Sequence, residues 1–382
     1  MSDVFILGVG QTPVGEHWDT SLRELGAAAI RAALDDSRIE SVDALYVGNM
    51  LGGCVNRQEN VATLLADAAG LLPAEAWKVE AACASGGAAV RSASLAVAAG
   101  AHDVAVAVGI EKMTDAPGDA VAAGLATASD QDFEASHGLS FVALSALMMQ
   151  RYMHETGQPR EAFAPFAVNA HDNAAGNPHA RFRSPITAAE FARSPLVASP
   201  IGVLDAAPVC DGAAAVVIAS RRALEPHHRP IRIAASAAAT DTIGLAGRAD
   251  ILTLGSARHS AERVFEMSGF RREEIDLFEA HDAFTIITAL SLESCGFVPR
   301  GEALQHAANG CFRPGGCTPV STFGGLKARG HPVGASGTYQ IVEAALQLRG
   351  EAGANQVAGA RRAMTQSIGG HGSIAVTHLL EA

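Results

Sequence analysis

Residues 81–90 read AACASGGAAV, in which Cys83 stands where a short β-type run ends and a helix of small residues begins. The same kind of turn and helix recurs in the second half of the chain, and further β-type runs recur around it in the same order. The corresponding pairs are Val4–Gly8 with Ile231–Ala235, Val42–Gly48 with Ile275–His281, Ala82–Gly100 with Gly330–Leu348, and His102–Ile110 with Arg362–Val376. This repeat predicts two halves of one βαβ-type plan, residues 1–225 and 229–382.

Strand-like runs alternate with Ala-rich helical stretches in both halves, a pattern typical of an α/β protein with buried sheets. The run Val104–Val108 has no polar alternation, as expected for a strand that is covered on both faces. Between about residues 115 and 200 the sequence becomes irregular, except for one clear helix at Phe141–Glu155. An insertion of this length predicts a loop domain that serves as a lid or a binding loop.

Composition and charge exclude several classes of function. The chain has 382 residues, of which 48% are hydrophobic, so it can bury a large core. Its net charge of −12 disfavours nucleic acid and an anionic membrane surface as partners. No apolar run reaches the roughly 20 residues that cross a bilayer, and no signal peptide is visible, so we expect a cytoplasmic protein. The six cysteines lack metal-ligand or CxxC spacing, so we expect free thiols and no metal site.

Cys83 and His331 are the candidate catalytic pair. Helix N-termini stabilise anions, so the position of Cys83 predicts a stabilised thiolate; a buried core cysteine is the structural alternative. His331 lies in GGLKARGHPVGASG, residues 324–337, a glycine-dense turn that corresponds in position to the Cys83 turn. If the two halves pack about a pseudo-twofold axis, the imidazole faces the thiol and can accept its proton.

Five motifs carry a family resemblance. They are ACASG around Cys83, GIEKMTD at 109–115, HDAF at 281–284, GGLKARGHPVGASG around His331, and SIGGHG at 367–372. In combination they resemble the thiolase superfamily, and specifically its sterol-carrier-protein and archaeal types. The resemblance implies the thiolase fold, an α/β architecture with two pseudo-repeated βαβαβ halves in a five-layered α/β/α/β/α body and an inserted loop domain at about 115–200.

The resemblance also implies an acyl-CoA thiolase or acetyl-CoA C-acetyltransferase, which uses coenzyme A thioesters as substrates and no permanently bound cofactor. Cys83 would take up the acyl group as a thioester, and His331 would remove the thiol proton. The ring N–H of His281 would stabilise the enolate oxygen of the second acyl-CoA, while the backbone amides of Cys83 and Gly369 would hold the tetrahedral intermediate. The expected reaction is Claisen condensation of acetyl-CoA units or thiolysis of a 3-oxoacyl-CoA.

The sequence departs from the family at the second cysteine, which moves the proton at the α-carbon. Ser367 and Ala283 occupy the two positions where thiolases carry it. A serine hydroxyl is a poor general base at neutral pH, so the second half-reaction is expected to be slower than the first. His371 stands where the family has glycine and is a candidate for the missing base, with polar filling of a loop as the alternative.

His137 stands where related enzymes place pantetheine-contacting residues in the loop domain. Lys327 and Arg329, and likewise Arg181 and Arg183, are candidates for contacts with coenzyme A phosphates, with surface solvation as the alternative for each. The resemblance further implies a homodimer or homotetramer, and it allows a small zinc-ribbon/OB acyl-CoA-binding protein as a partner. The alternative function is a thiolase-like subunit of a multiprotein acyl-transfer complex with little activity alone. A synthase acting on carrier proteins is disfavoured by HDAF and SIGGHG, and a retro-aldolase by the lack of a tyrosine in the expected motifs.

Overall fold

The computed structural model describes residues 3–382, in which strands and helices alternate from the start. The first half follows the predicted order of strand and helix. Its elements are β1 (Val4–Gln11), α1 (Leu22–Ser37), β2 (Ala44–Gly48), α2 (Val61–Ala69), β3 (Glu75–Val79), α3 (Ser85–Ala98) and β4 (Val104–Glu111). Strand β4 is buried along its whole length, as its uninterrupted apolar run indicates.

The insertion after β4 is more regular than the sequence indicates. It contains α4 (Gly118–Ala126), α5 (Phe141–Thr156), α6 (Ala164–Ala175), α7 (Ala188–Arg193), and a small sheet of β5 (Leu196–Ala198) and β6 (Ile201–Gly202). Helix α6 escapes recognition because two buried asparagines interrupt its apolar face. The side-chain amide nitrogens of Asn169 and Asn173 both donate to the carbonyl oxygen of Val320, at 3.2 and 3.3 Å, so these donors are satisfied inside the protein.

The second half repeats the plan of the first. After β7 (Gly212–Ser220), the last strand of the first half, its elements are β8 (Ile231–Thr240), α8 (Gly255–Ser268), β9 (Leu277–Glu279), α9 (Thr285–Ser294), α10 (Ala303–Ala308), α11 (Ser336–Arg349), β10 (Arg362–Gly369) and β11 (Ile374–Glu381). Strand β7 closes the sheet of the first half, where it lies between β4 and β1.

The strand order shows the repeat directly. The nine strands follow the order β3-β2-β4-β7-β1-β8-β11-β10-β9. In the series β2-β4-β7-β1 the first pair is parallel and the next two are antiparallel, and β9-β10-β11-β8 has the same sequence of directions. The two series meet only where Phe5 and Ile6 of β1 pair with Arg232 and Ile231 of β8.

Five layers result from the way the helices pack. Helices α3 and α11 contact each other and the strands of both halves, so they form the middle layer. Helices α1 and α2 cover the outer face of the first half, and α8 and α9 pack over the second. The expected five-layered α/β/α/β/α body is confirmed. No helix within residues 3–382 is long and apolar enough to cross a membrane.

Glycines allow the two central helices to approach closely. A Cβ atom added to Gly86 would lie 2.6 Å from Thr338 Oγ1, and one added to Gly337 would lie 2.5 Å from the backbone nitrogen of Gly87. Either position therefore excludes a larger side chain. The catalytic candidates Cys83 and His331 precede these two helices, so the same contact sets the distance between the halves at the site.

We expect Gly337→Ala to lower the free energy of unfolding by about 1–3 kcal/mol, because the added methyl group overpacks the α3–α11 contact. The matched control is Gly118→Ala at the start of α4, where an added Cβ meets no atom within 4 Å. This control should leave stability unchanged or slightly raised, since alanine favours the helix. Urea unfolding followed by circular dichroism measures both. Equal unfolding midpoints for the two variants would contradict the close-packed contact.

Candidate active site

Cys83 is held in a strained turn immediately before α3. Ala82 has φ 49°, in the left-handed region that alanine rarely adopts. The turn is fixed by Ser85, whose Oγ accepts a hydrogen bond from the Ala81 nitrogen at 2.9 Å and donates to the Ala82 carbonyl at 2.6 Å. This arrangement presents the thiol at the end of a cavity, with only 4% of Cys83 exposed.

The cavity brings Cys83 together with three histidines, His281, His331 and His371. Its volume is about 170 Å³, and its remaining walls are almost entirely apolar. The apolar wall residues are Met113, Leu125, Phe141, Val142, Ala206, Ala207, Pro208, Val209, Ala283, Phe284, Ile287 and Val333. These walls come from both halves and from the loop domain, so the site exists only when all three are assembled. A group inside it meets few water molecules, which strengthens its electrostatic interactions.

His281 and His331 lie edge to face with their ring centres 5.3 Å apart. The Nδ1 atom of His331 is 2.7 Å from Ser336 Oγ, the first residue of α11. Among residues 3–382 the Nε2 atom of His331 has no hydrogen-bond partner, yet it is not enclosed by protein atoms, so it opens to the cavity. When Nδ1–H donates to Ser336, Nε2 carries the lone pair that a general base needs.

Burial keeps both rings neutral. Desolvation lowers the pKa of His281 to about 3, and desolvation together with the neighbouring His281 and Arg329 lowers the pKa of His331 well below its usual value. A neutral His331 can accept a proton at pH 7. A neutral His281 can still donate an N–H to a developing anion.

The thiol of Cys83 does not have the lowered pKa that its helix position predicts. Burial, followed by the carboxylate of Glu111, raises the pKa of Cys83 to about 12. Desolvation therefore outweighs the stabilisation by the helix N-terminus, which corrects the sequence-based expectation of a preformed thiolate. Cys83 needs a base to become a nucleophile, and His331 is placed in the same cavity.

Glu111 was not recognised as a site residue from the sequence, although it ends the buried strand β4. Its carboxylate accepts hydrogen bonds from the backbone nitrogens of Met50 and Leu51, and it approaches Gly334 next to the His331 turn. Burial raises the pKa of Glu111 to about 8. The residue thus ties loops of both halves together beneath the cavity. An acid at the end of a wholly apolar strand is the sequence signal that indicates such a role.

Ser367 lies outside the cavity. A Cβ atom added to Gly87 would be 2.2 Å from Ser367 Oγ, and one added to Gly337 would be 2.9 Å from it, so the hydroxyl faces the two central helices. This placement argues against the expected role of Ser367 near the substrate α-carbon. Ala283 does line the cavity, but it has no proton-accepting group.

Gly369 ends β10 and packs against the Cys83 turn. A Cβ atom added to it would lie 2.4 Å from the carbonyl oxygen of Ala81. The next two residues, Gly370 and His371, reach the cavity. The role of the Gly369 amide in holding an oxyanion stays a prediction, and its position beside the turn is compatible with it.

Lys327 and Arg329 are both buried and bound inside the protein, which argues against the expected contact with coenzyme A phosphates. Lys327 Nζ donates to the carbonyl oxygen of Ala206 at 2.8 Å, and Arg329 pairs with Glu343 at 3.2 Å. Burial of these cations could not be recognised from the sequence because their partners are distant along the chain. Lys327 positions the wall segment that begins at Ala206.

His137 is exposed on a short turn of the loop domain and does not line the cavity. A contact with pantetheine therefore stays a prediction for this residue. Among residues 3–382 no cluster of His, Cys, Asp or Glu that could hold a metal is present, and all six cysteines are free thiols.

Both halves of the chain match the models of known protein domains. Residues 4–222 match the family model of the thiolase N-terminal domain, and residues 237–382 match that of the thiolase C-terminal domain. The chain belongs to the thiolase family. This thiolase is 45% identical to an acetyl-CoA acetyltransferase of Methanothermobacter thermautotrophicus, over 99% of each chain.

Two further proteins are similar to this thiolase. It is 30% identical to bovine sterol carrier protein 2, over 98% of this chain and 71% of that protein. A solved structure described as an Ltp2-ChsH2(DUF35) aldolase superposes with a TM-score of 0.86 at 25% identity, covering 100% of this chain and 98% of that chain. The resemblance to sterol-carrier-protein and archaeal types is thereby confirmed.

We expect His331→Ala to slow the alkylation of Cys83 by iodoacetamide at pH 7, because a thiol with so high a pKa loses its proton acceptor. The control is His137→Ala, which removes an exposed imidazole and should leave the rate unchanged. Peptide-resolved mass spectrometry is required, since Cys54 and Cys317 are exposed and also react. An unchanged Cys83 rate in His331→Ala would show that His331 does not activate the thiol.

Arg329→Met should lower the free energy of unfolding by about 3–5 kcal/mol, because it leaves the buried Glu343 carboxylate without its partner. The control is Arg151→Met, which breaks an exposed ion pair with Glu155 and should cost about 0–1 kcal/mol. Thermal unfolding measures both. If Arg329 contacts phosphate instead, Arg329→Met would keep its stability and raise the KM for acetyl-CoA.

Proposed function

We propose that this thiolase is an acetyl-CoA C-acetyltransferase that works through a thioester on Cys83. The observation that carries the proposal is the shared cavity of Cys83 and His331, which come from the two halves of the fold. The full-length similarity to an acetyl-CoA acetyltransferase supports acetyl-CoA as the substrate. Its match to both thiolase domains makes the chain an acyltransferase of the thiolase type.

In the first half-reaction His331 Nε2 takes the proton of Cys83, and the thiolate attacks the carbonyl carbon of acetyl-CoA. A C–S bond to Cys83 forms, and coenzyme A leaves as a thiol after the imidazolium returns the proton. The oxyanion of the tetrahedral intermediate is held by the backbone amides of Cys83 and Gly369. Because the walls are apolar, these donors act with little competition from water.

In the second half-reaction the α-carbon of a second acetyl-CoA loses a proton and attacks the acetyl-Cys83 carbonyl. The new C–C bond gives acetoacetyl-CoA, and Cys83 leaves. The Nε2–H of His281 stabilises the enolate oxygen, which is a separate anion from the one in the first half-reaction. His281 suits this role because its ring is neutral and borders the cavity. In the reverse direction the same groups carry out thiolysis.

Coenzyme A thioesters serve as substrates in this proposal, without a resident cofactor. The free thiols of the described residues favour a reducing compartment such as the cytoplasm, and the proposed use of acyl-CoA substrates suits a role in lipid metabolism. The exposed edge strand β3, which carries Trp77 at 59% exposure, supports assembly as a homodimer or homotetramer.

A second candidate function is a subunit of a multiprotein acyl-transfer complex with little activity alone. The observation that favours it is the structural similarity to a chain from an aldolase whose name includes a DUF35 component. A small zinc-ribbon/OB acyl-CoA-binding protein would be the partner. Activity of the isolated chain at the level of its relatives would exclude this candidate.

Incubation with acetyl-CoA should add the mass of one acetyl group to the intact protein, located on the Cys83 peptide. Cys83→Ala should lose the adduct and stay folded, because the change removes one sulfur atom beside a cavity. Cys54→Ala is the control, since it removes an exposed thiol and should keep the adduct. Labelling of Cys83→Ala at the wild-type level would refute the role of Cys83.

A further inference from the structure

One step of the proposed reaction has no assigned proton acceptor. The second acetyl-CoA must lose an α-proton, and the positions where thiolases carry a second cysteine cannot accept it. Ser367 Oγ faces the helices α3 and α11 rather than the cavity, and Ala283 has no acceptor atom. His331 already serves as the proton acceptor of the first half-reaction, with its Nδ1 atom bonded to Ser336, and His281 is assigned to the enolate oxygen.

His371 is the fourth polar group of the cavity, and its tautomer is fixed. It lies in the turn between β10 and β11, and its Nε2 atom is 2.9 Å from the carbonyl oxygen of Phe141. A carbonyl oxygen can only accept a hydrogen bond, so Nε2 carries the ring proton. In the neutral ring, Nδ1 therefore holds the lone pair. Burial lowers the pKa of His371 to about 4, so the neutral form predominates near pH 7.

The lone pair of His371 is directed to open space. Within residues 3–382 the Nδ1 atom has no hydrogen-bond partner, yet it is not enclosed by protein atoms, although the residue as a whole is only 4% exposed. His371 lines the cavity that also contains Cys83, and this cavity is the open space beside the ring.

Three contacts hold this ring in place. It packs against the ring of Phe141 at an interplanar angle of 33° with ring centres 4.1 Å apart, and Nε2 bonds to the backbone of the same residue. The backbone carbonyl oxygen of His371 accepts a hydrogen bond from Arg248 Nη1 at 2.7 Å. A polar group that merely fills a loop does not need an anchor on both its ring and its backbone. Such fixation is what a base needs, because proton transfer depends on a set distance.

We propose that Nδ1 of His371 is the general base that removes the α-proton of the second acyl-CoA. The inference rests on the proposed function and supplies its missing step. The C–H bond breaks, the proton moves to Nδ1, and the electron pair becomes the enolate. The enolate then forms the C–C bond to acetyl-Cys83 while the C–S bond breaks. The proton taken from the α-carbon passes from the imidazolium of His371 to the Cys83 thiolate, which restores both groups, so no external reactant is required.

The test separates proton removal from acylation. His371→Gln keeps an N–H donor for Phe141 but removes the imidazole base. In deuterated water, exchange of the acetyl-CoA methyl protons is followed by NMR, and acetylation of Cys83 is followed by intact mass. We expect His371→Gln to lose about 10²–10⁴-fold in exchange and condensation, with acetylation within about twofold of wild type.

Two further variants control for structural effects. His378→Gln changes another buried histidine that bonds to a backbone carbonyl, that of Gly87, but lies outside the cavity, so it should keep both readouts. In His371→Ala, added imidazole should restore part of the exchange, which a folding defect would not permit.

The outcomes distinguish the inference from the function on which it rests. Exchange at the wild-type level in His371→Gln, with Cys83 still acetylated, would overturn the inference and leave the proposed function intact. Absence of both acetylation and exchange in wild type would overturn both. Equal loss of acetylation and exchange in His371→Gln, without rescue by imidazole in His371→Ala, would assign His371 a structural role and also refute the inference.

Discussion

The contact between α3 and α11 is the constraint on which the rest of the structure depends. Helix α3 begins two residues after Cys83 and α11 five residues after His331, and the two helices belong to different halves of the chain. Glycine at Gly86 and Gly337 lets the backbones approach to a separation that alanine would not allow. The Cys83 thiol and the His331 imidazole therefore share one cavity because two small-residue helices pack in the middle layer. The strained turn at Ala82 orients the sulfur toward this cavity.

The chemistry of the site follows from the exclusion of water from its apolar cavity. The same apolar walls that exclude water raise the pKa of Cys83 and lower the pKa of the three histidines, so every reacting group rests in its neutral form. Charge then arises only when substrate is present, and each new charge forms next to a group that can offset it. A resting site with a free thiolate would also be more open to oxidation than this one.

The repeat and the presence of Cys83 and His331 in one cavity could be predicted from the residues themselves, because small-residue turns and buried β runs are local signals, whereas the five layers were expected from the family resemblance. It was misleading for Lys327 and Arg329, whose cationic side chains suggested a phosphate site. Their partners, the Ala206 carbonyl and Glu343, are brought near only by tertiary folding. The direction of the Ser367 side chain could not be predicted either. Alternation along a strand shows which residues share a face, but not which of the two faces lies against the cavity. The assignment of His371 as a base depends on its hydrogen bond to the backbone of Phe141, a residue that is distant in the sequence.

Hydrogen bonds fix the loop domain to the second half, so the loop domain does not act as a hinged lid. Asn169 and Asn173 of α6 reach the Val320 carbonyl, and the backbone nitrogens of Arg181 and Phe182 donate to the carbonyl oxygens of Arg329 and Ala328 on the His331 turn. If the loop domain opened as a lid, these buried hydrogen bonds would have to break at the same time. The free-energy cost of breaking them makes such opening rare. Under the proposed function, the pantetheine arm therefore enters a cavity whose cover stays in place, so the rate of substrate entry depends on the width of the opening and on side-chain rotation along it.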